Sequence, residues 1–151
     1  MKLFFASRRP AATTPELRTH ALLAGHHVLV VDNDHDLRRL IRTAFELEGA
    51  VVSEADGVKR ALAVAGAMGC DAVITDITMG VSRRDGLRLL ARFRESPALA
   101  SIPIVAMTGC RALQPELVAA GFDRVLIKPF EVLDLPVTVH ALVRGASAAA
   151  A

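Results

Sequence analysis

The segment His27–Asp34 reads HVLVVDND: an apolar, largely β-branched run that breaks abruptly into two acids and an amide. An unbroken apolar run this short fits a strand buried on both faces, as in a parallel sheet covered by helices. Four similar runs follow: AVVSE at Ala50–Glu54, DAVIT at Asp71–Thr75, PIVAM at Pro103–Met107 and RVLI at Arg124–Ile127. Helical patterns separate them. Over Asp36–Glu48, Leu37, Leu40, Ile41, Ala44 and Leu47 share one face, with Arg38, Arg39, Arg42 and Glu46 outside it, and Gly49 is a natural stop. Val58–Ala67 is an Ala-rich helix, and Gly86–Glu95 places Leu87, Leu90, Ala91 and Arg94 in register. Leu113–Ala120 is a short helix with Pro115 in its first turn, where proline costs little. The last helix is expected to start late, capped by Asp134 with Pro136 in its first turn, and to run to Val143.

Five strands, each followed by a helix, predict an α/β fold: a flavodoxin-like, doubly wound, five-stranded parallel sheet of order 2-1-3-4-5 with helices on both faces. The body is expected to span residues 26–144. Residues 1–25 read as a flexible N-terminal extension, with a short helix over Pro15–Leu23. Residues 145–151 read as a disordered Ala-rich tail.

The chain has 151 residues, 52% hydrophobic and 23% charged, enough for one domain with a real core and too apolar for wholesale disorder. No apolar run is long enough to span a membrane. Two cysteines, Cys70 and Cys110, make neither a disulfide framework nor a zinc site by themselves, so a reducing, cytoplasmic setting is expected. The net charge of +2 comes from the leader, where Lys2, Arg8, Arg9 and Arg18 outnumber Glu16. A near-neutral body without Trp or Tyr lacks the cationic footprint and stacking platforms of a nucleic-acid binder.

In such sheets, ligands bind at the carboxyl ends of the strands. There the sequence sets Asp32-Asn33-Asp34 after strand 1, Asp76 after strand 3, Thr108 after strand 4 and Lys128-Pro129 after strand 5. Crowded carboxylates repel unless a cation neutralises them, and a hard divalent ion such as Mg²⁺ suits a few oxygens plus water. A lysine and a hydroxyl opposite that ion would suit a phosphoryl group, whose transfer needs mainly positioning and charge neutralisation. Asp76, held by a buried strand, is the candidate nucleophile for an aspartyl phosphate. No phosphate-cradling glycine motif is present, which weakens nucleotide-binding readings.

With LVVDND at Leu29–Asp34, VITDITM at Val73–Met79, IVAMTG at Ile104–Gly109 and IKPF at Ile127–Phe130, the segment from His27 to Val143 resembles a response-regulator receiver domain of two-component signalling. The resemblance implies that Asp76 is the phosphoacceptor, and that Asp32, Asn33, Asp76 and the backbone carbonyl of Thr78 hold Mg²⁺. It implies that Thr108 contacts the phosphoryl group and drives the switch, and that Lys128 pairs with the phosphoryl oxygens. It also implies a cis Lys128–Pro129 bond. The reaction it implies is phosphoryl transfer from a sensor histidine kinase or histidine phosphotransferase, in a stand-alone receiver that is not an enzyme beyond its own phosphorylation and dephosphorylation. A downstream target protein would read the switched surface. The family often pairs through the face of the fourth helix, fifth strand and fifth helix, which makes a homodimer through that face an expectation.

The chain departs from the family pattern at several places. Asn33 stands where a second acid is usual, Gly80 where proline is usual, and Val125 where an aromatic is common. The Gly80–Asp85 loop is longer than usual and carries Arg83 and Arg84, which read as a solvated loop. Asn33 and Val125 favour an alternative, a pseudo-receiver that binds proteins without being phosphorylated. A small phosphohydrolase would need an acid where Thr78 stands, and a flavodoxin would need a phosphate loop and stacking aromatics.

Overall fold

Each apolar run becomes a strand of one sheet. A computed structural model describes residues 21–80 and 82–150. Strands β1 (His27–Val31), β2 (Val51–Ala55), β3 (Ala72–Asp76), β4 (Ile104–Thr108) and β5 (Arg124–Ile127) lie in the order β2-β1-β3-β4-β5, and every pair is parallel. Helices α1 (His35–Leu47), α2 (Val58–Met68), α3 (Asp85–Glu95), α4 (Gln114–Ala120) and α5 (Leu135–Ala149) follow the strands in turn.

The two-residue alternation of a strand sorts the core into two layers. Leu29 and Val31 face the side covered by Ala61 and Ala65 of α2, Phe93 of α3 and Leu117 of α4. Val28 and Val30 face the side covered by Ile41 and Phe45 of α1 and Leu135 and Val139 of α5. β3 and β4 are buried along their whole length, as strands covered on both faces must be. No helix among the described residues is long and apolar enough to cross a membrane.

Tertiary packing overrides the helical periodicity in two places. In α1 the buried side chains are Ile41, Ala44 and Phe45, whereas Leu40 is 55% and Leu47 72% exposed. The leucine spacing fits a stripe, but the bulky Phe45 turns the helix so that its own side lies on the sheet. In α3 the buried set is Gly86, Leu89, Leu90 and Phe93, while Ala91 is exposed and Leu87 half-buried. The larger Phe93 again sets the rotation, since it removes more apolar area from water than alanine does.

The ends of the domain also differ from expectation. α5 continues to Ala149 rather than stopping at Val143 with a disordered tail, because alanine is the strongest helix former and Gly145 alone does not end the run. Pro136 does sit in its first turn, but the Asp134 side chain makes no capping bond. Instead a tighter turn, Val132–Asp134, leads into the helix, and the Thr138 hydroxyl donates to the Asp134 carbonyl at 3.2 Å.

At the other end the folded body reaches back past residue 26. Leu23 is fully buried in the α1–α5 layer, and its N–H donates to the Glu48 carbonyl at 2.9 Å. Leu22–Gly25 forms a turn, so the helix expected over Pro15–Leu23 does not include that end. The rest of that helix and of the extension lie outside the described residues. Replacing Leu23 by alanine is expected to lower stability by about 2–4 kcal/mol through the cavity it leaves, read as a drop in the urea midpoint at unchanged slope. A neutral outcome would return residues 21–25 to the extension.

Candidate functional site

The strand ends converge as parallel register requires. Asp76 closes β3 beside Met107, and Thr108 closes β4 beside Ile127. The Lys128 N–H donates to the Thr108 carbonyl at 2.8 Å, which fastens the residue after β5 to the end of β4. The Lys128–Pro129 bond is cis. The Asp32 N–H donates to the Ala55 carbonyl at 3.1 Å, which extends the β1–β2 ladder to the acid itself.

These ties bring three side chains together. Lys128 Nζ lies 3.4 Å from Asp76 Oδ1 and 3.7 Å from Asp32 Oδ2. Asp32 is 1% exposed, Thr108 3% and Asp76 8%. Asp32 Oδ1 accepts the Asp34 N–H at 2.8 Å, but buried Oδ2 has no hydrogen-bond partner, since the ammonium is too far for one. Burial holds the Asp32 carboxyl above its usual range and Asp76 pushes in the same direction, against the Asp34 N–H and the Lys128 charge. Thr108 Oγ1 accepts the Cys110 N–H at 3.1 Å, which leaves its O–H free to donate.

Asn33 and Thr78 follow the two acids in the chain, and both are exposed. Asp34 has a different task. It is the N-cap of α1, accepting from Asp36 N at 3.0 Å and Leu37 N at 3.1 Å, so its carboxylate is engaged with the helix. The donors at this edge are all oxygens, and one buried carboxylate oxygen lacks a partner. Those features fit a hard divalent cation. No group of three His, Cys, Asp or Glu side chains gathers as a metal cage among the described residues. A cation held by Asp32, Asp76, the Asn33 amide oxygen and the Thr78 carbonyl would therefore keep water in its remaining positions.

Two further residues shape the site. Gly86, in the first turn of α3, sits so close to the end of β3 that a Cβ there would lie 2.7 Å from the Asp76 carbonyl oxygen and 2.8 Å from Ile77 Cα. Its N–H also donates to the Ile77 carbonyl at 3.0 Å. Arg38, which the sequence placed on the outer face of α1, turns inward. Its guanidinium donates to the Asp32 carbonyl at 2.7 Å and lies 3.4 Å from Glu54. Glycine at a helix start is a common enough signal to pass unnoticed, and the inward turn of Arg38 follows from the rotation of α1.

The departing residues find local uses. Val125 is half-buried against the core beneath α4, opposite Ala106. Arg84 is not merely solvated: it pairs with Glu116 of α4 at 2.8 Å. Cys110 is exposed, whereas burial, aided by the charge of Asp71, pushes the Cys70 thiol up to about 12.

A sequence-family model for the response regulator receiver domain matches residues 28–140. The chain belongs to the response-regulator receiver family. An uncharacterized 14.6 kDa protein in the sodA1 3' region of Leptolyngbya boryana is 35% identical over 115 residues, covering 75% of this chain and 86% of that one. The transcriptional regulatory protein ResD of Bacillus subtilis is 32% identical over 122 residues, covering 80% of this chain but 49% of ResD. The chain thus spans about half of such regulators. Among solved structures, the chemotaxis response regulator CheY4 of Vibrio cholerae superposes with a TM-score of 0.70 at 25% identity, covering 78% of this chain and 98% of that one. A response regulator from Chloroflexus aurantiacus gives 0.72 at 27% identity, covering 79% and 98%. The flavodoxin-like order of this receiver's sheet is the one those neighbours share.

Two outcomes follow for the receiver's stability. Asp32→Asn removes a buried charge beside a second carboxylate and is expected to stabilise the protein at pH 7 by about 1 kcal/mol, a rise of roughly 4 °C in Tm. Because the folded state raises this carboxyl above 3.8, the wild type loses stability relative to the variant as pH rises through that raised value, and the gap closes in acid. Urea titrations of both proteins across pH check this, and a gap independent of pH would refute it. Gly86→Ala is expected to destabilise by about 1–3 kcal/mol, since the methyl meets the Asp76 carbonyl oxygen and Ile77 Cα of the backbone as well as the Ile77 side chain.

Proposed function

We propose that this receiver accepts a phosphoryl group on Asp76 from a phosphohistidine on a sensor kinase or histidine phosphotransferase. The carrying observation is that two buried carboxylates, Asp32 and Asp76, share the single ammonium of Lys128 at a strand edge. In the step proposed, an Asp76 carboxylate oxygen attacks phosphorus and a P–O bond forms. The P–N bond breaks, its electron pair returns to the imidazole, and the ring nitrogen regains its lone pair. Lys128 holds the phosphoryl oxygens, and the free O–H of Thr108 donates to one of them. Mg²⁺ bound by Asp32, Asp76, Asn33 and the Thr78 carbonyl would offset the negative charge that accumulates there. An amide at position 33 supplies an oxygen but no charge, so this reading carries weak Mg²⁺ affinity.

Movement of Thr108 toward the phosphoryl group would bias α4, whose lead-in begins three residues later, and change how the α4–β5–α5 face binds a downstream target protein or a second copy. On this reading the chain is a cytoplasmic signalling acceptor for protein partners rather than an enzyme that turns over a substrate or a binder of nucleic acid. The pseudo-receiver reading keeps the same surface without phosphate, and the exposed Asn33 and aliphatic Val125 support it. Intact-mass measurement after incubation with acetyl phosphate and Mg²⁺ separates the two. One phosphoryl adduct is expected on the wild type and none on Asp76→Asn. A folded wild type that gains no mass would leave only the pseudo-receiver.

A further inference from the structure

We propose that the cleft between the loop after β3 and the start of α4 is a binding site for a small organic acid with an apolar body. The cavity measures about 540 Å³, within the size range of small-molecule sites. Leu87 and Leu113, packed over the fully buried Ile77, supply apolar walls, and Arg83, Arg84 and Glu116 supply the charge. Two guanidinium groups against one carboxylate leave the cleft net positive. Arg84 and Glu116 are in contact at 2.8 Å, but their side chains are 64% and 44% exposed, so the pair is weak and open to exchange. Arg83 makes no ion pair among the described residues.

Apolar walls call for an apolar body, and the surplus guanidinium selects a carboxylate, which its planar fork can hold through two bonds. A neutral molecule of the same shape would leave Arg83 unmatched. The exposed Thr78 lies two residues after Asp76, while Leu113 and Glu116 lie at the head of α4, so an occupant bridges the loop after β3 and that helix.

The fluorescent acid 2-naphthoate tests this directly, because a chain without Trp or Tyr contributes no competing emission. Saturable binding with a Kd on the order of 100 µM is expected from the size of the probe. The neutral 2-naphthylmethanol is expected to bind at least about tenfold more weakly, and the double variant Arg83→Glu/Arg84→Glu to lose about tenfold or more. Cys110→Phe, which sets a ring into the cleft wall without altering charge, is expected to abolish binding. Circular dichroism establishes that each variant is folded. The exposed arginine pair keeps the test decisive even if the phenylalanine disturbs packing. The inference is overturned if the wild type shows no saturable binding, if the alcohol binds as well as the acid, or if a folded variant binds like the wild type. No phosphodonor enters the measurement, so its failure and that of the acceptor role of Asp76 are distinct.

Discussion

Two carboxylates buried side by side repel, and the rest of the strand edge is arranged around that repulsion. Asp32 and Asp76 sit at 1% and 8% exposure, with one lysine ammonium 3.7 and 3.4 Å away. One ammonium cannot neutralise both, and burial alone already pushes the Asp32 carboxyl upward. The structure tolerates this because Asp32 gains an N–H from Asp34, while its own backbone is clamped by Ala55 and Arg38. A fold that needed only stability would place apolar side chains here. On the function proposed above, that residual negative charge would attract a cation and, beside a lysine and a free hydroxyl, accommodate a phosphoryl group.

Holding such a cluster in place requires a rigid frame, and the parallel sheet supplies it. β3 and β4 are buried throughout, so Asp76 and Thr108 project from strands that cannot shift without opening the core. The bond from Lys128 N to Thr108 O carries the register of β4 and β5 one residue beyond the strands. Behind Asp76, Gly86 lets α3 press against backbone, which a methyl group would prevent. Positional accuracy at Asp76 therefore depends on a residue with no side chain to offer chemistry.

The sequence reading reached the sheet order and the polar residues that close each strand, because both rest on short-range signals. Apolar runs ending in polar residues mark buried strands and their edges without reference to distant parts of the chain. It missed the rotations of α1 and α3. Leu40 and Leu47 satisfy a helical stripe as well as Ile41 and Ala44 do, and only the sheet beneath decides which set is covered. Arg38 was misplaced for the same reason. The tail was misjudged because low complexity suggested disorder, whereas a helix already started and packed through Val139 extends readily into alanine.

What the sequence by itself determined is the alternation of strand and helix, and the identity of the polar residues that close each strand. What only the tertiary structure decided is distance and partnership: that Lys128 lies within reach of both acids, and that Arg84 reaches Glu116 of α4 across the cleft. Those facts depend on contacts between residues far apart in the chain, which local periodicity does not encode.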